Sequence, residues 1–126
     1  MTPPEAGAPL GAIRHAADEA VRAVSLRSVA ADIGMSPTNL RHFINGQKPY
    51  AALRRKLLAW YVRYQLDRRA FSGDVARAAM EVLLEGIPPD QADATERQML
   101  DALGVIYDGA RVPPPAWLAR LRGGAE

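Results

Sequence analysis

The stretch SLRSVAADIGMSPTNLRHFING, Ser25 to Gly46, decides the fold. Ser25 is placed to cap a helix from Leu26 to Ile33, because its hydroxyl can accept from an otherwise unpaired N–H of the first turn. The inward face of that helix would be Leu26, Val29, Ala30 and Ile33, and Gly34 would end it. Ser36 followed by Pro37 signals a second start, since serine caps and proline is preset for the first helical position. A helix from Pro37 to about Asn45 follows, closed by Gly46. Two short helices that cross over a tight turn need three things: a small residue at their contact, a residue tolerant of positive φ in the turn, and apolar anchors on each helix. Ala30, Gly34 and the set Val29, Ile33, Met35, Leu40 and Phe43 supply all three, and the segment reads as a helix-turn-helix.

Upstream, Ile13, Ala16, Ala17, Ala20, Val21 and Val24 recur at spacings of three and four, predicting an amphipathic helix from Leu10 to Val24. Met1 to Pro9, with three prolines and a glycine, reads as a flexible tail. Downstream, Leu53, Leu57, Trp60, Tyr61 and Tyr64 form one stripe of a long helix running from near Tyr50 to Asp67, with Arg54, Arg55, Lys56 and Arg63 off it. Ser72 and Gly73 mark a break. Val75, Ala78, Ala79, Val82 and Leu83 predict another helix, closed by Gly86, Pro88 and Pro89. Asp93 with Glu96 predicts a capping-box start for a helix through Met99, Leu100, Leu103, Ile106 and Tyr107 to Gly109. Three prolines, Pro113 to Pro115, then set off a short segment with Trp117, Leu118 and Leu121. With no convincing alternation of period two, the chain reads as all-α: a helix-turn-helix region over 10–69 and an α-helical accessory region over 70–126.

Composition narrows the function classes. The 126 residues contain no cysteine and two histidines, His15 and His42, which removes disulfide frameworks, thiolate catalysis and Cys-ligated zinc and leaves a histidine-rich metal site improbable. No apolar run approaches a membrane span and no secretory leader precedes Leu10, so the expected location is cytoplasmic. Asp90 and Asp93 are read as turn and cap residues, with no nucleophile and base beside them, so neither an enzyme nor a cofactor is expected. The net charge of +2 conceals an asymmetry: Met1 to Arg69 hold 11 Lys or Arg against 5 Asp or Glu, net +6, and Ala70 to Glu126 hold 5 against 9, net −4. A basic first half fits a polyanionic partner, and an acidic second half does not.

The segment resembles the helix-turn-helix of the phage lambda repressor-like, or Cro-like, DNA-binding family, in SVA at Ser28 to Ala30, IGM at Ile33 to Met35 and NG at Asn45 and Gly46. The likeness covers Leu10 to Tyr64 as a pattern and Leu26 to Gly46 as a motif. It implies a third helix seated in the major groove of double-stranded DNA, a homodimer, and a transcriptional regulator of repressor type, associated with the nucleoid when bound. The family's domain has five helices, whereas here a fourth, aromatic pattern runs unbroken to Asp67. No serine–lysine pair within β-rich sequence follows, so self-cleavage is not expected.

The helix period selects the contacts. With Leu40 and Phe43 inward, Thr38, Arg41, His42 and Asn45 share one outward stripe and Asn39 stands on its shoulder. Arg41 suits guanine, Asn39 suits adenine, Thr38 offers a hydroxyl and a methyl, and His42 can donate to a base or a phosphate. Asn45 matches by position a phosphate-binding asparagine of the lambda-type domains. Ser36 at a helix N-terminus is a further phosphate candidate. Arg27 and Lys48 fall where the family grips the backbone, and Arg54 and Arg55 extend that grip or serve as solubilising surface. The accessory region either completes one core, or supplies dimer contacts, or receives a protein partner. The alternative function is accordingly a protein-interaction module, such as an antitoxin or adaptor.

Overall fold

The computed structural model describes residues 10–123; the expected flexible tail over residues 1–9 lies outside them. The described residues form seven helices and no strand, so the chain is all-α. They divide into two compact units, between Val82 and Leu83.

The first unit contains α1 (Leu10–Ala23), α2 (Leu26–Ile33), α3 (Pro37–Ile44), α4 (Ala51–Asp67) and α5 (Gly73–Leu83, ending at the boundary). Helix α1 packs on α2, α3 and α4, and α2 packs on both α3 and α4. Their shared core gathers Ile13, Ala16, Ala17, Ala20, Val29, Ala30, Ile33, Leu40, Phe43, Leu57, Leu58, Trp60 and Tyr61. Each fully buried large side chain among these contributes about 1.5 to 3 kcal/mol by leaving water. Val75 and Ala78 belong to the same core, and this is why α5 falls within the first unit although the composition changes near residue 70. Leu58, off the stripe read from sequence, is buried beside Leu57, so α4 is covered over more than one narrow face.

Polar ties from α4 fix it to its neighbours. The Trp60 indole N–H donates to Asp32 Oδ2 at 3.1 Å, and Trp60 stacks on Tyr64 with ring centroids 4.8 Å apart. Arg63 reaches the Asp32 carbonyl at 3.3 Å. Arg68 ties the end of α4 to Glu19 of α1 at 3.5 Å. Burial pushes the Tyr61 phenol above its ordinary 10.0, with Asp74 adding to the rise and a hydrogen bond with Gln65 opposing it.

The second unit holds α6 (Pro89–Ala110) and α7 (Ala116–Gly123), packed on each other. Leu100 and Leu118 are buried, and Arg122 of α7 reaches Asp101 at 3.3 Å while its guanidinium lies over Gly104. Helix α6 starts four residues before the expected Asp93: Pro89 sits in its first turn, where a missing N–H costs nothing, so the proline pair starts the helix rather than only ending what precedes it. Across the described residues three expected on apolar stripes are exposed, Val24 at 69%, Leu83 at 68% and Ile106 at 63%, together with Val105 at 70%. No helix among the described residues is long and apolar enough to cross a membrane, and no group of three or more His, Cys, Asp or Glu among them could hold a metal ion.

Candidate nucleic-acid interface

Local chemistry builds the segment from Ser25 to Gln47. Ser25 Oγ accepts from Ser28 N–H at 3.0 Å and Ser36 Oγ accepts from Asn39 N–H at 3.1 Å, so both helices begin on serine caps. Helix α2 ends where Gly34 takes φ 96°, a left-handed conformation that would strain a side-chain-bearing residue, and the N–H groups of Gly34 and Met35 both reach the Ala30 carbonyl. Lys56 of α4 donates to the Gly34 carbonyl at 2.9 Å, and its side chain passes over the glycine. The connection between α2 and α3 is thus only Gly34, Met35 and Ser36, held at both ends.

At the far end of α3, Gln47 N–H bonds the His42 carbonyl at 2.9 Å and Gly46 N–H bonds the Phe43 carbonyl at 3.0 Å, a Schellman closure with Gly46 at φ 112°. Inward, Leu40 is 0% and Phe43 2% exposed. Outward, Thr38, Arg41, His42 and Asn45 are all exposed, with Asn39 half-buried beside them. The period therefore puts the four expected residues on one solvent-facing side and Asn39 at its edge.

The remaining candidates separate. Ser36 is exposed and already serves as a cap; Arg27, in the first turn of α2, and Lys48, after α3, are exposed cations. Asn39, His42 and Lys48 come together with Gln47 and Tyr50 around a cleft of about 40 Å³ floored by Met35, Phe43, Pro49 and Leu53. Arg54 does not join them. Its guanidinium makes a two-pronged bond with Glu81 of α5, at 2.5 and 3.0 Å, and this half-buried pair satisfies the charge that the sequence reading offered to phosphate.

Between Ser25 and Lys56 the chain carries six Lys or Arg and a single acidic residue, Asp32. That carboxylate is occupied by Trp60 and lies 3.8 Å from Arg63. On and just after α2 and α3 the exposed cations are Arg27, Arg41 and Lys48, with the donors of Thr38, His42 and Asn45 exposed along α3.

Two residues near this surface escaped the sequence reading. Tyr50, 65% exposed at the start of α4, adds an aromatic ring and a hydroxyl to the cleft; its place just outside the Leu53 stripe was the available signal. Arg14 of α1 donates from Nε to the Phe43 carbonyl at 2.6 Å, with its guanidinium carbon 4.8 Å from the centre of the Phe43 ring. No local pattern announces a contact across 29 residues. No protein-family model, curated protein or solved structure matches the chain.

Proposed function

We propose that the chain is a sequence-specific double-stranded DNA-binding regulator of repressor type, with a helix-turn-helix of the lambda repressor-like kind that enters the major groove through α3. One observation carries the reading: an eight-residue helix, anchored by Leu40 and Phe43 and capped at both ends, with Thr38, Arg41, His42 and Asn45 exposed together. Asn39, Thr38, Arg41 and His42 are the base-reading set. Arg41 bidentate to guanine and Asn39 to adenine give the discrimination. Arg27, Ser36, Asn45 and Lys48, with Gln47 and Tyr50 beside Lys48, grip phosphates and set the register. Arg54 is left out of that set because Glu81 holds it.

One reading head covers only a few base pairs, and specific binding near 10 nM needs roughly two heads on half-sites about one turn apart. The regulator therefore acts as a homodimer in the cytoplasm, on the nucleoid when bound. The exposed Val105 and Ile106 support a role for α6 in association, and the same exposure favours the second reading, a protein-interaction module of antitoxin or adaptor type. Selection from random duplex DNA followed by Arg41→Ala and Asn39→Ala separates the two. Loss of binding to the selected sequence with the helical fold intact supports DNA reading. Retained binding to it in both variants would count against α3 as the reader.

A further inference from the structure

We infer that Arg14 is a positioning residue for the reading helix: from α1 it holds the last turn of α3 and thereby the direction of Arg41, His42 and Asn45, an inference that rests on the DNA-reading function proposed above. Helix α3 is eight residues long, too short to persist on its own, so the aim of its outward side chains is set by its attachments. The N-terminal end has Ser36. The C-terminal end has the Gly46 and Gln47 closure, which bonds the helix only to its own continuation.

Beside the burial of Phe43 in the shared core, Arg14 gives that end a polar attachment to another element. Its Nε donates to the Phe43 carbonyl, one of the last-turn acceptors that the helix leaves only partly used, and a positive group there also complements the helix dipole. The same guanidinium covers the Phe43 ring. Main chain and side chain of one residue are thus both fixed from α1. Phe43 lies between His42 and Ile44 in the turn that also carries Arg41 and Asn45, so release of this contact leaves that turn held by the burial of Phe43 alone, without the polar tie that fixes its rotation. Two-pronged base contacts tolerate little angular error, so discrimination between sequences falls before general affinity for DNA does.

The test compares the full chain with Arg14→Met and Arg14→Lys; lysine keeps a donor and a cation over the ring. Amide hydrogen exchange of Asn45, Gly46 and Gln47 is expected to quicken about tenfold in Arg14→Met, with Gly34 and Met35 unchanged and lysine intermediate. Affinity for a selected duplex relative to a scrambled one is expected to drop about tenfold at an unchanged salt slope. Equal quickening across all helices with an unchanged affinity ratio would overturn the inference in favour of a purely structural arginine. A salt slope reduced by about one unit would overturn it in favour of direct phosphate contact. Should Arg14→Met not fold, Arg14→Lys carries the same comparison. If the wild-type chain selects no sequence, the DNA reading fails, while the exchange data still decide whether Arg14 anchors α3.

Discussion

The Lys56 ammonium donates to the Gly34 carbonyl at 2.9 Å, joining the fourth helix to the turn between the second and third. The turn is thereby fixed from outside as well as by its own glycine. Gly34→Ala is expected to cost about 1 to 2 kcal/mol from the left-handed φ alone. The nearest atom that a new Cβ would meet is Lys56 Cδ at 3.6 Å, so space adds little and the loss is conformational. Thermal denaturation reads this as a midpoint lower by about 4 to 8 °C per kcal/mol for a unit of this size. An unchanged midpoint would show that the turn does not hold Gly34 at positive φ.

Asp32 accepts from the buried Trp60 and also faces Arg63, so it is the acidic hinge between α2 and α4. Asp32→Ala leaves the indole N–H without its partner and is expected to destabilise by about 1 to 3 kcal/mol, with a shift in tryptophan emission as water reaches the ring. The readouts are urea denaturation and the emission maximum of the folded state.

Arg54 and Glu81 bind each other from α4 and α5 with side chains about a quarter exposed, 26% and 28%. Their coupling falls between a surface pair and a buried one, about 1 to 2 kcal/mol in a double-mutant cycle. Arg54→Ala should lower stability and leave the salt dependence of DNA binding unaltered, because the charge it removes is already neutralised. Lys48→Ala should do the reverse, weakening binding to all sequences and reducing the salt slope by about 0.9. Exchange of these two outcomes would return Arg54 to the phosphate set.

Tyr61 is buried, and its phenol ionises above the ordinary 10.0 in the folded chain. The folded state therefore holds its proton at a pH where the unfolded state has released it. The stability this contributes is complete below the unfolded pKa and is lost as pH rises through about 10 towards the folded value. Tyr61→Phe is expected to flatten that alkaline decline, measured by urea midpoints between about pH 8 and 11. An equally steep decline in the variant would place its cause elsewhere.

The sequence was most legible where structure is decided locally. Ser25, Gly34, Ser36, Pro37 and Gly46 act within one turn of their own position, and the edges of α2 and α3 follow from them. The apolar period likewise announced the buried Leu40 and Phe43 and hence the exposed stripe. What was not legible is carried by long polar side chains: Arg14 to Phe43, Trp60 to Asp32 and Arg54 to Glu81 span 29, 28 and 27 residues. Periodicity records which side of a helix is apolar, not which guanidinium will find which acceptor. The same limit hid the partner of Arg54, whose carboxylate lies in a later helix. In α6 a competing local signal prevailed: Pro88 and Pro89 read as an end, while Asp93 and Glu96 read as a cap inside what is a continuous 22-residue helix.

Whether α3 reads duplex sequence, as proposed, is decided by selection with the purified chain from a pool of random duplex DNA, followed by a salt titration of the winning sequence. A palindromic consensus is expected, with a log-affinity slope of about −0.9 for each phosphate neutralised. Weak binding without sequence preference, vanishing at physiological salt, would contradict the proposal.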